Sequence, residues 1–251
     1  MIGLIPAAGS GTRMMPFTKA IPKELFHIQR KAVIDHVIET LHEYANINKI
    51  FIVVGSHKGA IIDHVGDGNT QNKGKLKIAY LFQEERKGLA HAIYQAKQFI
   101  DDEVLVNAGD SFIHPKSEIK EAIKEFNQEK PFALVLAKEV TDPTKYGILK
   151  IDKNNYLVDT MEKPTIEQAE VYKLKNGKYL CIAPIYIFRK EIFDYIEKTP
   201  AGAKNEYQIT DSIKLALNDG KKIKIHTLKG DYFDIGNWED AERAQEILKI
   251  N

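Results

Sequence analysis

The chain is poor in cysteine, with Cys181 as the only one in 251 residues. A single cysteine cannot form an intramolecular disulfide and cannot build a cysteine-cluster metal site. A chain without disulfides is typical of a reducing compartment, so we expect a cytoplasmic protein. Cys181 lies in an apolar run from Tyr179 to Phe188, where it is expected to be a small buried hydrophobic side chain.

Long apolar runs and a strong charge imbalance are also absent. No run reaches the roughly 20 apolar residues of a membrane-spanning helix, and a first strand predicted from Ile2 leaves no room for a signal peptide. There are 36 Lys and Arg residues against 35 Asp and Glu residues. This balance gives no excess of positive charge to attract nucleic acid or an anionic membrane, so we expect neither as a partner.

Metal-ligand and hydrolase motifs are missing as well. None of the histidines falls in a His-Glu-x-x-His or similar spacing, so no zinc site is expected, and no Gly-x-Ser-x-Gly elbow indicates a serine hydrolase. Helical periodicity predicts that His36 and His42 face solvent. The eight histidines are His27, His36, His42, His57, His64, His91, His114 and His226.

Strands and helices alternate through the first 110 residues. The predicted elements are a strand from Ile2, a helix over Val33–Tyr44, a strand over Lys49–Val54, a helix over Ile61–Val65, a strand over Lys77–Phe82, a helix over Leu89–Ile100 and a strand over Glu103–Val106. This alternation predicts right-handed crossovers and a parallel sheet covered by helices on both faces. We expect a mononucleotide-binding type of α/β layer.

The rest of the chain contains more strands than helices. Strands are predicted over Phe132–Val140, Gly147–Asp152, Tyr156–Met161, Tyr179–Phe188, Lys222–Leu228 and Tyr232–Ile235, and helices over Lys190–Glu197, Gln208–Leu217 and Trp238–Leu248. No repeat or linker separates the two parts. We therefore predict one α/β domain over residues 1–251, with a mixed, mostly parallel central sheet shared by both halves.

A loop of small residues follows the first strand and precedes two basic residues, Arg13 and Lys23. Its members are Ala7, Ala8, Gly9, Ser10, Gly11 and Thr12. Their bare backbone can approach a phosphate or a nucleobase edge, while Arg13 and Lys23 supply countercharge. Met14 stands where a dinucleotide fingerprint needs its third glycine, and the Gly-Lys-Ser/Thr of a P-loop is absent. A plain turn is the alternative.

Other polar residues follow predicted strands, where open α/β sheets bind ligands. They are Gln83 and Gly88, Asp110, Tyr146 and Gly147, Glu162 and Lys163, and Asp234. Asp110 and Asp234 together with phosphate oxygens would suit Mg²⁺, which takes few protein ligands. Arg13 and Lys23 would then stabilise charge during in-line displacement at phosphorus. Taken singly, Asp110 fits a turn and Asp234 fits a helix cap.

Three of these residues have the chemistry to select a nucleotide sugar. Gln83 can offer a donor and an acceptor together, which matches the imide edge of uracil or thymine. Glu162 can bind sugar hydroxyls, and Lys163 a sugar phosphate. The simpler alternatives are a solvated glutamine and an exposed ion pair.

Together these motifs resemble those of the sugar-phosphate nucleotidyltransferases, or nucleotide-sugar pyrophosphorylases. Residues 9–13 resemble the family's G-x-G-T-R, and residues 18–24 (TKAIPKE) look most like UTP:glucose-1-phosphate uridylyltransferases. The motifs that follow in family order are Gln83 with Gly88–Ala92, Gly109-Asp110, Tyr146-Gly147, Glu162–Pro164, Glu206–Asp211 and Phe233–Gly236. The resemblance covers nearly the whole chain and implies a Rossmann-like three-layer fold.

The resemblance also implies an enzyme that makes a nucleotide sugar and pyrophosphate from UTP or dTTP and a hexose 1-phosphate such as glucose 1-phosphate. Residues 1–110 would bind the nucleotide, and residues 111–251 the sugar phosphate. The implied catalytic residues are Arg13, Lys23 and Asp110; the nucleotide-binding residues are Ala7, Ala8, Gly9, Gly11, Thr12, Gln83 and Gly88; the sugar-phosphate-binding residues are Tyr146, Gly147, Glu162 and Lys163; and the Mg²⁺ ligands are Asp110 and Asp234.

The sequence leaves alternatives for the oligomeric state, the sugar contacts and the type of activity. The family commonly forms dimers or tetramers, so a homo-oligomer is one expectation, without the C-terminal extensions of some relatives because the last motif lies close to Asn251. Arg30-Lys31-Ala32 and Ala183-Pro184 depart from the family pattern, and Pro184 lacks an amide hydrogen for a sugar contact. A non-catalytic nucleotide-sugar-binding relative and a cytidylyltransferase for an alcohol phosphate are the alternatives.

Overall fold

The computed structural model describes residues 1–55, 58–68, 75–202 and 205–249, which leaves His57 outside the described residues. Thirteen strands lie within these ranges. They are β1 Ile2–Ala7, β2 His27–Ile28, β3 Lys31–Ala32, β4 Lys49–Val54, β5 Lys77–Phe82, β6 Glu103–Asn107, β7 Ser111–His114, β8 Ala133–Val140, β9 Gly147–Ile151, β10 Leu157–Glu162, β11 Tyr179–Arg189, β12 Ile223–Thr227 and β13 Asp231–Asp234.

Six of the eight α-helices of the described residues lie at predicted positions, and α4 and α5 do not. They are α1 Val33–Glu39, α2 Lys58–Val65, α3 Leu89–Tyr94, α4 Glu118–Glu129, α5 Ile166–Ala169, α6 Ile192–Lys198, α7 Ile209–Asn218 and α8 Trp238–Lys249. In two of the predicted helices, the α-helical part is shorter than expected. The first continues from α1 as a π-helical turn over Thr40–Tyr44, and the other ends in a 3-10 turn over Lys97–Phe99.

Nine strands form one mixed sheet, which confirms the predicted α/β fold class. Strands β6, β1, β4 and β5 are parallel neighbours in that order. Strand β11 joins them to the later strands by pairing antiparallel with β6, β8 and β9. The N-terminal and C-terminal halves of the chain therefore share a single continuous sheet in one domain.

Side chains alternate between two apolar layers on opposite faces of this sheet. Ile5 and Ile52 pack on one face, beneath α1, α4 and α8. Leu4 and Val53 pack on the other face, beneath α3, α6 and α7. Successive strand residues point to opposite faces, so fully apolar strands bury both faces and give three layers.

Five elements were not predicted from the sequence: the short β2, β3 and α5, and the longer β7 and α4. The strand β7 follows Asp110 directly and pairs antiparallel with β13 in a separate two-stranded sheet. The helix α4 buries Ile119, Ala122 and Phe126, whose spacing of three and four residues is an amphipathic signal that was available in the sequence. The pairing of β7 with β13 could not be predicted because the paired residues are more than 100 positions apart in the chain.

The prediction that His36 faces solvent is wrong. Its side chain is buried, because β7 packs against this face of α1 and the imidazole stacks on Phe112 with ring centroids 4.6 Å apart. His42 is half-buried and lies 3.0 Å from the carbonyl oxygen of Ile47. Cys181 is buried, as expected, among Ile148, Tyr172 and Tyr179, which belong to the same small apolar cluster. Across the described ranges, no helix is long and apolar enough to cross a membrane.

Glu118 on α4 holds the turn that leads into β13. Its carboxylate is 6% exposed and accepts the backbone N–H groups of Lys229 and Gly230 at 2.8 and 2.6 Å. Hydrogen bonds to a charged group contribute about 1.5 to 3 kcal/mol each, and removing Glu118 would break both.

We therefore expect Glu118→Ala to lower the free energy of unfolding by about 2 kcal/mol or more, measured by urea denaturation. Glu121→Ala is the matched control on the same helix, since Glu121 is exposed and only approaches the Lys229 ammonium at 3.4 Å. Equal effects of the two substitutions would contradict this role of Glu118.

Candidate active site

A cavity of about 1180 Å³ opens at the carboxyl ends of the parallel strands. Most of the residues predicted to form a site line it. They are Ala8, Gly9, Arg13, Gln83, Gly88, Asp110, Tyr146, Gly147, Glu162, Lys163 and Asp234. The strand-end rule succeeds here because parallel strands end at the same edge of a sheet. Ala7, Gly11, Thr12 and Lys23 are not part of the lining.

Lys23 lies under the cavity wall, where its ammonium contacts a carboxylate oxygen of Asp110. Burial alone would lower the pKa of Lys23, but the carboxylates of Asp110 and Glu24 outweigh it and raise the pKa well above its ordinary value. Lys23 is therefore a permanent positive charge. A Cβ on Gly9 would lie 3.5 Å from Cε of Lys23, an ordinary contact distance, so the loop packs directly against the lysine side chain.

Gly11 shapes the loop rather than lining the cavity. It adopts a left-handed conformation with φ of 61° at the start of a 3-10 turn over Thr12–Met14. The Thr18 hydroxyl donates to its carbonyl oxygen at 2.8 Å, and a Cβ at this position would lie 2.7 Å from Cγ2 of Thr18. Met14 is fully buried and anchors the turn. This packing presents Arg13 toward the cavity.

Asp110 and Asp234 are brought together by the small β7–β13 sheet. Ser111 pairs with Asp234 in its ladder, and the N–H of Ile235 donates to the carbonyl oxygen of Asp110 at 2.9 Å. Burial, followed by the charge of Asp110, raises the pKa of Asp234 to about 7. The two carboxylates thus repel each other at the wall of the cavity.

Arg13 lies across Gly236, next to Asp234. A Cβ on Gly236 would lie 2.6 Å from a terminal nitrogen of Arg13 and 3.2 Å from Oδ1 of Asp234. The positive charge of Arg13 lowers the pKa of Asp234 and so offsets part of the repulsion described above. Glycine at 236 is required for this approach.

Glu24 is a carboxylate of the site that the sequence analysis did not assign. It lines the cavity, yet it is only 2% exposed, and its Oε2 has no hydrogen-bond partner within the described ranges. Burial disfavours its charged form more than the Lys23 ammonium favours it, which raises the pKa of Glu24 to about 7. Its position directly after Lys23 was the available signal, but its burial was not visible in the sequence.

At the end of the cavity predicted to bind the base, Gln83 and Gly88 lie close together. The Gln83 amide donates to the carbonyl oxygen of Gly88 at 3.2 Å. Gly88 has φ of 90°, and a Cβ there would lie 2.6 Å from the carbonyl oxygen of Tyr207, which also accepts the N–H of Ala90 at 3.1 Å. Residues 206–208 therefore form a wall that only a glycine at 88 can approach.

At the end predicted to bind the sugar phosphate, Gly147 faces Glu162 across the β9–β10 ladder. Oε2 of Glu162 accepts a hydrogen bond from the Thr210 hydroxyl at 2.7 Å. A Cβ on Gly147 would lie 3.0 Å from both of these oxygens, so glycine makes room for the pair. Lys163 donates its backbone N–H to the carbonyl oxygen of Tyr146 at 3.0 Å, and its ammonium lies 3.5 Å from Glu162.

The fold and this cavity define an α/β protein of the Rossmann-like class. A family model described as "Nucleotidyl transferase" matches residues 2–249, and the chain belongs to this family. The family predicted from the sequence motifs is therefore confirmed, and with it the prediction of an enzyme.

Individual relatives agree with the family assignment. The UTP--glucose-1-phosphate uridylyltransferase of Staphylococcus epidermidis strain RP62A is 33% identical over 93% of this chain and 86% of its own. The low-salt glycan biosynthesis nucleotidyltransferase of Haloferax volcanii is 30% identical over 99% of this chain and 66% of its own. The crystal structure of a UDP-glucose pyrophosphorylase complexed with UDP-glucose has a TM-score of 0.86, with 28% identity over 99% of this chain and 98% of that one.

The raised pKa of Glu24 predicts how stability depends on pH. The ordinary pKa is 4.5, and the value in the folded protein is about 7. Between these values folding takes up a proton, so the free energy of unfolding falls as pH rises, by at most about 3 kcal/mol from this group. Asp234 acts in the same direction.

We expect Glu24→Gln to lose less stability than the parent protein between pH 5 and pH 8, measured by urea unfolding in a chelating buffer. The exposed Glu242→Gln serves as the control and should retain the parent's pH dependence. Identical losses in the Glu24 variant and the parent would contradict the assignment.

Proposed function

We propose that the enzyme makes a nucleotide sugar and pyrophosphate from UTP and glucose 1-phosphate. The observation that carries the proposal is that one cavity is lined by Gln83 and Gly88, by Asp110 and Asp234, and by Glu162. These groups suit a base, a metal-bound phosphate and a sugar in turn. The names of the staphylococcal relative and of the UDP-glucose pyrophosphorylase support the same substrates.

In the proposed reaction, an oxygen of the sugar phosphate attacks the α-phosphorus of the nucleotide. A new P–O bond forms, the bond to the β-phosphate oxygen breaks, and pyrophosphate leaves. Arg13 and Lys23 stabilise the negative charge on the phosphates during this displacement. Lys23 remains charged throughout the neutral range because its pKa is raised. The chain needs to supply no nucleophile, since the substrate provides it.

The donor set of the site fits Mg²⁺. Asp110 and Asp234 offer two half-buried carboxylates whose mutual repulsion a divalent cation would relieve, and Mg²⁺ takes its other ligands from phosphates and water. When bound, the ion would neutralise phosphate charge and orient the triphosphate. Within the described residues, no group of three or more His, Cys, Asp or Glu side chains is placed to hold a metal ion, so substrate oxygens would have to complete the coordination.

The second candidate substrate is dTTP. Uracil and thymine present the same imide edge to Gln83, and the nucleotides differ only by a methyl group and a 2′-hydroxyl. A methyl-sized difference changes binding by only about 1 to 3 kcal/mol.

The proposal is tested by following pyrophosphate release with glucose 1-phosphate, Mg²⁺ and each nucleoside triphosphate in turn. We expect turnover with UTP, a lower or similar rate with dTTP, and little with purine nucleotides. If none of the nucleoside triphosphates gives pyrophosphate, the proposed activity is refuted. A preference for purine nucleotides would refute the role of Gln83.

Cellular placement is part of the proposal. We place the enzyme in the reducing cytoplasm, because its only cysteine, Cys181, is buried and cannot form an intramolecular disulfide.

Lys23→Ala and Asp110→Ala should each lower kcat by two orders of magnitude or more, because each removes charge that acts at the reacting phosphates. Pyrophosphate release measures the effect, and circular dichroism checks the fold. Lys19→Ala is the matched control, since Lys19 is an exposed lysine of the same segment and should leave kcat unchanged. If Lys23→Ala and Asp110→Ala both keep near-parent activity, the proposed mechanism is ruled out.

Gly147→Ala should raise KM for the sugar phosphate about tenfold or more, because its Cβ would displace the Glu162–Thr210 pair. KM for UTP should change much less. Gly59→Ala, where a Cβ meets nothing within 4 Å, is the control and should leave both constants unchanged. An unaltered sugar-phosphate KM in Gly147→Ala would argue against Glu162 as a sugar contact.

A further inference from the structure

The Gln83 side chain is held by two neighbours at once. It is only 4% exposed, although it lines the cavity. Its Nε2 lies 3.2 Å from the carbonyl oxygen of Gly88 and 2.9 Å from Nδ1 of His91. An amide nitrogen carries two hydrogens, and the two contacts account for both.

The partners fix the orientation of this amide and the tautomer of His91. The Gly88 carbonyl can only accept, so the nitrogen of the Gln83 amide, and not its oxygen, must face it. The same nitrogen then donates to His91, whose Nδ1 must be the unprotonated acceptor of a neutral imidazole. The ring is half-buried and stacks on Tyr207 with centroids 6.3 Å apart, which keeps Nδ1 in place.

The other ring nitrogen does not compete for this arrangement. Nε2 of His91 lies 3.3 Å from the Gln95 amide, which already donates to the His91 carbonyl oxygen at 3.0 Å. With Nδ1 as the acceptor, the hydrogen of the neutral ring is on Nε2, and the amide nitrogen of Gln95 cannot accept it. This contact is therefore not a hydrogen bond, and the imidazole ring accepts only from Gln83.

This arrangement changes what Gln83 can offer a ligand. Glutamine in general offers a donor and an acceptor together, as predicted from the sequence, but both hydrogens of this amide are engaged within the protein. The group that remains for the cavity is the amide oxygen, which only accepts.

We propose that His91 is a positioning residue that makes the site select uracil or thymine over cytosine. By holding the Gln83 nitrogen, it leaves an oxygen facing the base, which accepts the N3–H of uracil or thymine. The N3 of cytosine carries no hydrogen, so its lone pair faces the same oxygen and is repelled. The inference rests on the proposed function, because it assumes that the cavity binds a nucleotide with Gln83 at its base.

Rotation of the amide is the step that His91 opposes. Turning Gln83 by 180° would present N–H to cytosine, but it would break two hydrogen bonds and set the amide oxygen against the Gly88 carbonyl. Without a hydrogen-bond acceptor at residue 91, the rotation breaks only one hydrogen bond, the one to the Gly88 carbonyl oxygen. One hydrogen bond corresponds to about a tenfold change in an equilibrium, so we expect discrimination against CTP to fall by about that factor.

The test compares kcat/KM for UTP and CTP, with glucose 1-phosphate as the second substrate, in His91→Phe and His91→Asn. Phenylalanine keeps a ring over Tyr207 but removes the acceptor, whereas asparagine places an oxygen near the position of Nδ1. We expect the UTP to CTP ratio to fall about tenfold in His91→Phe and to stay within about threefold of the parent in His91→Asn. Gln95→Leu removes the other neighbour of the ring and should leave the ratio unchanged.

Two results would overturn the inference. One is an unchanged UTP to CTP ratio in His91→Phe, and the other is an equal fall in His91→Phe and His91→Asn, which would mean that ring volume and not the acceptor matters. His91→Leu repeats the comparison if the phenylalanine variant does not fold. A parent enzyme that releases no pyrophosphate with any nucleotide would instead refute the proposed function, so the two failures are distinguishable.

Discussion

The contact between the Lys23 ammonium and the Asp110 carboxylate is the interaction on which the rest of the site depends. Three carboxylates, Asp110, Asp234 and Glu24, share a largely buried region with this one ammonium. Buried charges are tolerated only when they are paired, and here the negative charge exceeds the positive charge that is buried with it. The result is a raised pKa of Glu24 and of Asp234, in a site whose excess negative charge a bound cation would relieve.

The surrounding fold supplies the rigidity that such a cluster requires. Asp110 follows a central strand of the main sheet, and Asp234 is tied to it through the separate β7–β13 ladder. Glu118 on α4 holds the turn before β13. Gly236 then leaves space for Arg13. A displacement in any of these supports would change the distances between charges.

The two ends of the cavity use the same device, in which one polar side chain orients another. His91 orients Gln83, and Thr210 orients Glu162. In both cases the outer residue lies on a helix, α3 or α7, packed against the sheet. A helix-borne partner reduces the rotamer freedom of the recognising side chain, so less ordering entropy is lost when a ligand binds.

The amino-acid sequence by itself determined the α/β class, the order of most strands and helices, and the loop and strand ends at which polar groups would gather. These follow from local periodicity and from the rule that parallel strands end at one edge. Tertiary structure alone decided the burial of Glu24 and His36, the pairing of β7 with β13, and the orientation of the Gln83 amide. Each of these features depends on contacts between residues far apart in the chain or on the direction of a single hydrogen bond. Such contacts produce no periodic pattern of residues in the sequence.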